Sequence, residues 1–234
     1  MIHSTDIIVL AGGLGTRLRG VLPDAPKIMA PIAGRPFLDH LLLWFRDQGA
    51  RRVLLGLGYR ADAVLRYLQS HPFPGLRVET VVETEPLGTA GAIALARRLL
   101  ASDPVLVVNG DTFVDADLSA FLAAHRASGT EASLLAAWVD CPGRYGRLIV
   151  DHDRVLRFEE KDPSAVEPSW INAGFYLFRQ SLLDRIALLS HGSLERDVLG
   201  RLSPGSIHAF PIRGRFLDIG TPESLGSAEE VLRV

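Results

Sequence analysis

Three glycines and two cations near the start of the chain offer the first chemistry. The run Leu10-Ala11-Gly12-Gly13-Leu14-Gly15-Thr16-Arg17-Leu18-Arg19 continues a β-branched stretch, Ile7-Ile8-Val9-Leu10, and Pro26-Lys27 follows ten residues after Arg17. Glycines let a backbone turn tightly and bring its N–H groups against a phosphate. Arg17 adds a bidentate phosphate donor and Lys27 a second cation. Two other phosphate motifs fail: the third glycine of G-x-G-x-x-G would stand at position 18, which is Leu18, and no Gly-Lys-Ser/Thr run exists. A glycine turn after a first strand is by itself as often a plain turn as a nucleotide site. The combination of Gly12, Gly13, Gly15, Arg17 and Lys27 favours the nucleotide.

Carboxylates supply the second clue. Asp111, in Asn109-Gly110-Asp111, follows the strand-like run Val105 to Val108 directly. Ligands bind at the carboxyl ends of parallel strands, and a carboxylate there suits Mg²⁺, which prefers oxygen ligands and keeps several waters. Asp115 and Asp117 form a D-x-D spacing, but Asp117 reads as the N-cap of the next helix. Glu85 to Gly88 reads as a loop before a helix capped by Thr89. Glu159-Glu160-Lys161 alone is a solvated charge cluster, and Asn172 alone a turn residue. Cys141 is the only cysteine, so neither an intrachain disulfide nor a cysteine zinc cluster can form, and the seven histidines show no zinc spacing.

These residues must be held by an α/β framework. Phe37, Leu38, Leu41, Leu42 and Phe45 recur at helical spacing until Gly49; Val53 to Leu57 and Val78 to Val82 read as strands around a helix at Val64 to Leu68. Thr89 to Leu100 reads as an Ala-rich helix, and Leu118, Phe121, Leu122 and His125 mark another. Strand alternating with helix implies a doubly wound, largely parallel sheet. The second half changes to short strands at 133–139, 146–150, 154–158, 171–178 and 206–212, with helices at Leu182 to Leu189 and Leu194 to Leu202. Thr221-Pro222 reads as an N-cap with proline in the first helical position. The expectation is one mixed-sheet domain, 1–234, with a nucleotide-binding half (about 1–130) and a second half (about 131–234) that supplies a lid or substrate shelf.

Composition agrees with a globular protein: 234 residues, 47% hydrophobic, 22% charged, net charge −2. That balance gives no reason to expect nucleic acid or a membrane as partner. No apolar run reaches membrane length and no signal-peptide pattern opens the chain, so a cytoplasmic enzyme is expected.

Ala11 to Arg17, continued by Pro26-Lys27-Ile28-Met29-Ala30-Pro31, resembles the signature of sugar-1-phosphate nucleotidyltransferases. Resemblance implies a three-layer, Rossmann-like α/β fold with a mixed, mainly parallel sheet. It also implies nucleotide contacts from Leu10, Ala11, Gly12, Gly13, Gly15, Thr16 and Arg17, with Arg17 on the triphosphate and Lys27 at the reacting phosphate. Glu85-Pro86-Leu87-Gly88 is similar to the family's second nucleotide segment, implicating Glu85 and Gly88. Phe216-Leu217-Asp218-Ile219-Gly220-Thr221 is similar to the block that supplies a second metal carboxylate, so Asp111 and Asp218 are expected to meet around one Mg²⁺. Tyr145-Gly146, Glu160-Lys161 and Asn172-Ala173-Gly174 resemble the sugar-phosphate site. The glutamate and asparagine would take sugar hydroxyls and the lysine the sugar phosphate. Ile28 departs from the proline common in relatives, which puts the loop geometry beside Lys27 in question.

The implied reaction joins a nucleoside triphosphate to a sugar 1-phosphate and releases pyrophosphate. The finer texture, including Arg144-Tyr145-Gly146 and Ser193-Leu194-Glu195, looks most like D-glycero-α-D-manno-heptose-1-phosphate guanylyltransferases, which make GDP-heptose for surface glycans. Uridylyl transfer to a hexose or N-acetylmuramate 1-phosphate is the nearest alternative. A glycosyltransferase could share the sheet and a D-x-D site but would not need the glycine loop with Lys27. A nucleotide-sugar sensor should have lost Asp111, Asp218, Lys27 or Lys161, and all four are present. Several relatives self-associate, which leaves a homo-oligomer open.

Overall fold

The computed structural model describes residues 1–18 and 20–232. The chain opens with β1 (Ile7–Ala11), a hairpin of β2 (Pro31–Ile32) and β3 (Arg35–Pro36), and helix α1 (Phe37–Asp47). Then come β4 (Arg52–Leu57), α2 (Ala61–Ser70), β5 (Arg77–Val82), α3 (Gly88–Ala96), β6 (Val105–Asn109), β7 (Thr112–Val114) and α4 (Leu118–Ser128). The second half holds β8 (Ala132–Val139), β9 (Arg147–Asp151), β10 (Arg154–Glu159), β11 (Ser169–Phe178), α5 (Gln180–Ile186), β12 (Ile207–Ile212), β13 (Phe216–Asp218), α6 (Pro222–Gly226) and α7 (Ala228–Leu232).

Nine strands form one sheet in the order β5-β4-β1-β6-β11-β8-β12-β10-β9. β1 runs parallel to β4 and β6, and β4 parallel to β5. β11 enters antiparallel between β6 and β8, while β12 runs parallel to β8. β10 opposes β12 and β9. Only β11 and β10 therefore run against the other strands, and the sheet is mixed but mainly parallel. β7 and β13 form a separate ribbon.

Alternation along the buried strands builds a core on each face. Ile7, Val9, Leu106, Val108, Phe175 and Leu177 meet α1, α2 and α4 on one side. Ile8, Leu54, Val105, Val107, Tyr176 and Phe178 meet α3 and α5 on the other. Strands buried on both faces read as continuous apolar runs, which is why the first half shows so plainly in the sequence. The result is the three-layer α/β arrangement. No helix among the described residues is long and apolar enough to cross a membrane.

Local chemistry fixes the helix ends. Asp117 accepts from the N–H groups of Ser119 and Ala120 at 2.8 and 3.0 Å, capping α4 as its position suggests. Thr221 caps α6 in a capping box with Ser224, and Pro222 takes the first turn. Three helix expectations need correction. Thr89 does not cap α3, which begins at Gly88; its hydroxyl instead accepts from Leu194 N at 2.7 Å. That helix also stops at Ala96 and closes with a 3₁₀ turn at Arg97–Leu99. Leu194 to Leu202 is not an α-helix but a π turn (Leu194–Val198) followed by a 3₁₀ turn (Leu199–Arg201). Leu199 N bonds to both Leu194 O and Glu195 O, widening the turn, and the next residue, Gly200, favours no continuation.

One buried group makes stability depend on pH. His125 is fully buried, with Nδ1 2.7 Å from Ser133 Oγ and Nε2 without a partner among the described residues. Burial, reinforced by the Arg179 charge, pushes its pKa down to about 4 from 6.5. Below pH 6.5 the unfolded chain takes up a proton that the folded protein refuses until near pH 4. Stability is therefore complete above 6.5 and falls as pH drops towards 4, by about 3 kcal/mol across the window. Urea unfolding between pH 7 and 4.5 should show this slope, flattened in His125→Gln; an equal slope in both proteins would refute the assignment.

Candidate functional site

Two cavities open at the carboxyl ends of β1 and β6. The first, about 310 Å³, lies over the glycine loop and takes in Leu10, Ala11, Gly12, Gly13, Gly15 and Gly88. The second, about 620 Å³, lies towards the second half of the chain, with Tyr145, Gly146, Glu160, Lys161, Asn172 and Asp218 in its wall. Asn109 and Asp111 belong to both. The end of β6 is thus a partition between two neighbouring compartments.

At this partition sit the charged groups. Lys27 Nζ donates to Asp111 Oδ2 at 2.6 Å. It arrives from a 3₁₀ turn, Lys27–Met29, whose Ile28 is buried in the core; isoleucine in place of proline thus anchors the turn that presents the lysine. Asp218 reaches the same place through the β7–β13 ribbon, where it pairs with Thr112, and Ile219 N bonds to Asp111 O at 2.9 Å. Asp218 Oδ1 accepts from Gly220 N at 2.6 Å. Burial first, and then the Asp111 charge, hold the Asp218 carboxyl above the usual carboxylate range, against the pull of Lys27. A buried carboxyl whose ionisation a neighbouring carboxylate opposes makes a place for a cation. No cluster of three or more potential His, Cys, Asp or Glu ligands exists among the described residues. That donor set fits Mg²⁺, which is held by one or two carboxylates with water and phosphate oxygens, and not a closed zinc site.

The second cavity owes its shape to a bulge in β11. Its register against β8 shifts between Asn172 and Tyr176, and Gly174 there has φ of +73°. A Cβ on Gly174 would lie 2.8 Å from Asn109 Nδ2, so glycine is needed both for the turn and for the approach of β11 to β6. Asn172 then donates to Tyr176 OH at 2.8 Å, and that hydroxyl donates to Glu195 Oε1 at 3.3 Å. Asn109 Oδ1 is buried and unpartnered among the described residues.

Most residues singled out in the sequence meet at these cavities, with three departures. Arg17 lines the second cavity, not the glycine-loop cavity. Thr16 is exposed and lines neither. Glu85 is exposed and borders a separate depression of about 200 Å³. Its neighbour Glu83 lines the first cavity instead, accepting from Leu87 N at 3.2 Å, and burial raises its pKa. A Cβ on Gly12 would fall 2.7 Å from Glu83 Oε1, so this glycine makes room for the carboxylate. Sequence reading missed Glu83, although it stands just past a parallel strand, β5, as Asp111 does past β6. Asn109 and Glu195, quoted in the sequence only within longer motif blocks and given no role there, are wall residues too.

Known proteins resemble this chain in sequence and fold. The chain is 38% identical to the mannose-1-phosphate guanylyltransferase of Mycobacterium tuberculosis over 98% of its own length, spanning 65% of that longer protein. It is 32% identical to the D-glycero-alpha-D-manno-heptose 1-phosphate guanylyltransferase of Aneurinibacillus thermoaerophilus, covering 97% of this chain and 98% of that one. The crystal structure of HddC from Yersinia pseudotuberculosis complexed with GMP-PN superimposes with a TM-score of 0.88 at 34% identity, over 97% and 98% of the two chains. Residues 6–233 match the family described as nucleotidyl transferase; that span holds the whole sheet and both cavities, and the chain belongs to this family.

Proposed function

We propose that this chain transfers a guanylyl group from GTP to a sugar 1-phosphate, releasing pyrophosphate and leaving a GDP-sugar. The observation that carries the reading is the shared wall. Asn109 and Asp111 border a glycine-loop cavity on one side and a polar cavity on the other, with Lys27 on Asp111. Two ligands seated there would have their phosphates adjacent.

In this reaction an oxygen of the sugar phosphate attacks the α-phosphorus of the nucleotide. The bond from that phosphorus to the bridging oxygen breaks, and its electron pair leaves with pyrophosphate. The attacking oxygen is already anionic, so no strong general base is needed, and Cys141 lies exposed outside both cavities. Positioning and charge neutralisation carry the rate. Lys27 would neutralise the reacting phosphate, and Lys161 and Arg17 the sugar phosphate. Asp111 and Asp218 would hold Mg²⁺, which when bound supplies positive charge to the phosphate oxygens.

Guanine is supported by Glu83. A carboxylate accepts hydrogen bonds and donates none. Guanine offers two adjacent donors, its ring N–H and amino group, whereas uracil, thymine and adenine offer no such pair on that edge. A half-buried carboxylate with one backbone donor has acceptor capacity left for them. For Glu83→Gln, kcat/KM with GTP should fall roughly 10²-fold, with a smaller fall for UTP. An unchanged preference for GTP would remove the carboxylate from base selection.

For the sugar, the heptose phosphate is favoured by the near-complete mutual coverage with the A. thermoaerophilus protein, and mannose 1-phosphate by the 38% identity to the M. tuberculosis protein. Nucleoside triphosphate chemistry of this kind belongs in the cytoplasm. The test is pyrophosphate release with Mg²⁺ over four nucleoside triphosphates and the heptose, mannose, glucose and N-acetylmuramate 1-phosphates. Turnover with GTP and the heptose phosphate supports the full reading, and another productive pair replaces the substrate. Silence with every pair, nucleotide sugar still binding, would make the chain a sensor.

A further inference from the structure

The two compartments are joined in a second place, away from the partition at Asn109 and Asp111. Leu87 to Ala90, the entry to α3, brings Gly88 and Thr89 to the first cavity and is laced to the loop that follows α5. Gly192 bonds to it in both directions: Gly192 N donates to Leu87 O, and Gly192 O accepts from Ala90 N, each at 2.9 Å. Two residues on, Leu194 N donates to Thr89 Oγ1 at 2.7 Å, across 105 residues of chain. Leu194 is buried, and a buried N–H is expensive to leave without an acceptor.

Leu194 is where the π turn begins, and the next residue, Glu195, lines the second cavity. Its carboxylate is held at both oxygens. Tyr176 OH donates to Oε1 at 3.3 Å, and Ser193 Oγ donates to Oε2 at 3.2 Å. Burial, and next the Glu195 charge, push the Tyr176 phenol well above its ordinary range, so it stays a donor. The same hydroxyl accepts from Asn172 Nδ2 at 2.8 Å, which joins Glu195 to Asn172 through one atom.

Glu195 makes no ion pair among the described residues. A carboxylate has about four acceptor positions, and the neutral hydroxyls of Tyr176 and Ser193 leave some of them open. An anionic phosphate would be repelled there, whereas the hydroxyls of a carbohydrate can donate. The cations of the same cavity, Arg17 and Lys161, suit the phosphate end of such a ligand, and Glu195 with Asn172 its polyol end.

We infer that Glu195 is a further sugar-recognising residue of the second cavity, and that the Thr89 hydroxyl, reaching over from the nucleotide side, is what positions it. The inference rests on the sugar 1-phosphate reading of that cavity. Its test is steady-state pyrophosphate release with the pair of substrates that the wild type uses. Glu195→Gln keeps the size of the side chain and loses the charge. The KM for the sugar phosphate should rise about tenfold or more, while the KM for the nucleotide stays as it was. Thr89→Val removes the acceptor of Leu194 N at nearly equal volume. It should show the same split with a smaller rise, roughly fivefold, and Thr89→Ser should restore the wild-type value. In the double variant the Thr89→Val effect should nearly vanish, because residues that act through one group are not additive. The unchanged nucleotide KM also reports that each variant is folded. A sugar-phosphate KM unmoved by Glu195→Gln overturns the recognition. Full additivity, or a rise confined to the nucleotide KM in Thr89→Val, overturns the positioning. A wild type that turns over no pair at all overturns the underlying reading and the role of Glu195 with it; a productive wild type matched by Glu195→Gln overturns this inference alone.

Discussion

Lys27→Ala should lower turnover by about 10²–10³-fold, with kcat and kcat/KM falling together. Lys27 Nζ lies 2.6 Å from Asp111 Oδ2 at the wall common to the two cavities, where the attacking and leaving phosphates would crowd. Its charge matters most when negative charge spreads over the transferring phosphorus, so the loss belongs to the transition state more than to substrate binding. Steady-state pyrophosphate release at saturating Mg²⁺ gives the measurement. A variant whose KM alone rises would make Lys27 a binding residue, and near-wild-type turnover would remove it from the chemistry.

Asp218→Asn should separate activity from stability. The Asp218 carboxyl titrates above its ordinary value because it is buried and faces Asp111. The folded protein therefore holds this proton more tightly than the unfolded chain does. As pH rises through that window the folded state loses stability, and at neutral pH the metal-free protein carries the cost. Asparagine removes the charge, so the variant should melt at a higher temperature than the wild type without metal, while turnover falls about 10²–10³-fold. Added Mg²⁺ should raise the melting temperature of the wild type more than that of the variant. A lower melting temperature in the metal-free variant would contradict the repulsion, and an intact Mg²⁺ response with intact turnover would take Asp218 out of the metal site.

The two substitutions concern residues that differ in how they can be found. Asp111 is legible because it follows a continuous apolar strand, and the end of such a strand is where ligands gather. Asp218 lies on a three-residue strand whose partner, β7, is about a hundred residues earlier, so no periodicity announces it. It was reached only by resemblance. The same contrast divides the fold. β1, β4 and β6 are buried on both faces and read as unbroken runs, and α1 and α4 repeat at helical spacing. In the second half, β11 enters between β6 and β8 against their direction, a pairing fixed by long-range contact. The segment after α5 carries a helical pattern of leucines, yet the bond from Leu199 N to Leu194 O makes it a π turn. Apolar spacing records which face is buried and is silent about which carbonyl the backbone chooses.

Because Asn109 and Asp111 are walls of both compartments, the two substrates proposed above would be coupled thermodynamically. Whatever factor the sugar phosphate applies to the affinity for the nucleotide, the nucleotide must apply to the affinity for the sugar phosphate. Two polyanions set a few ångströms apart would make that factor unfavourable if only water lay between them. Lys27 and a cation held by the facing carboxylates would determine its sign. A partition that carries positive charge can turn mutual exclusion into mutual recruitment, so that filling one side draws in the other.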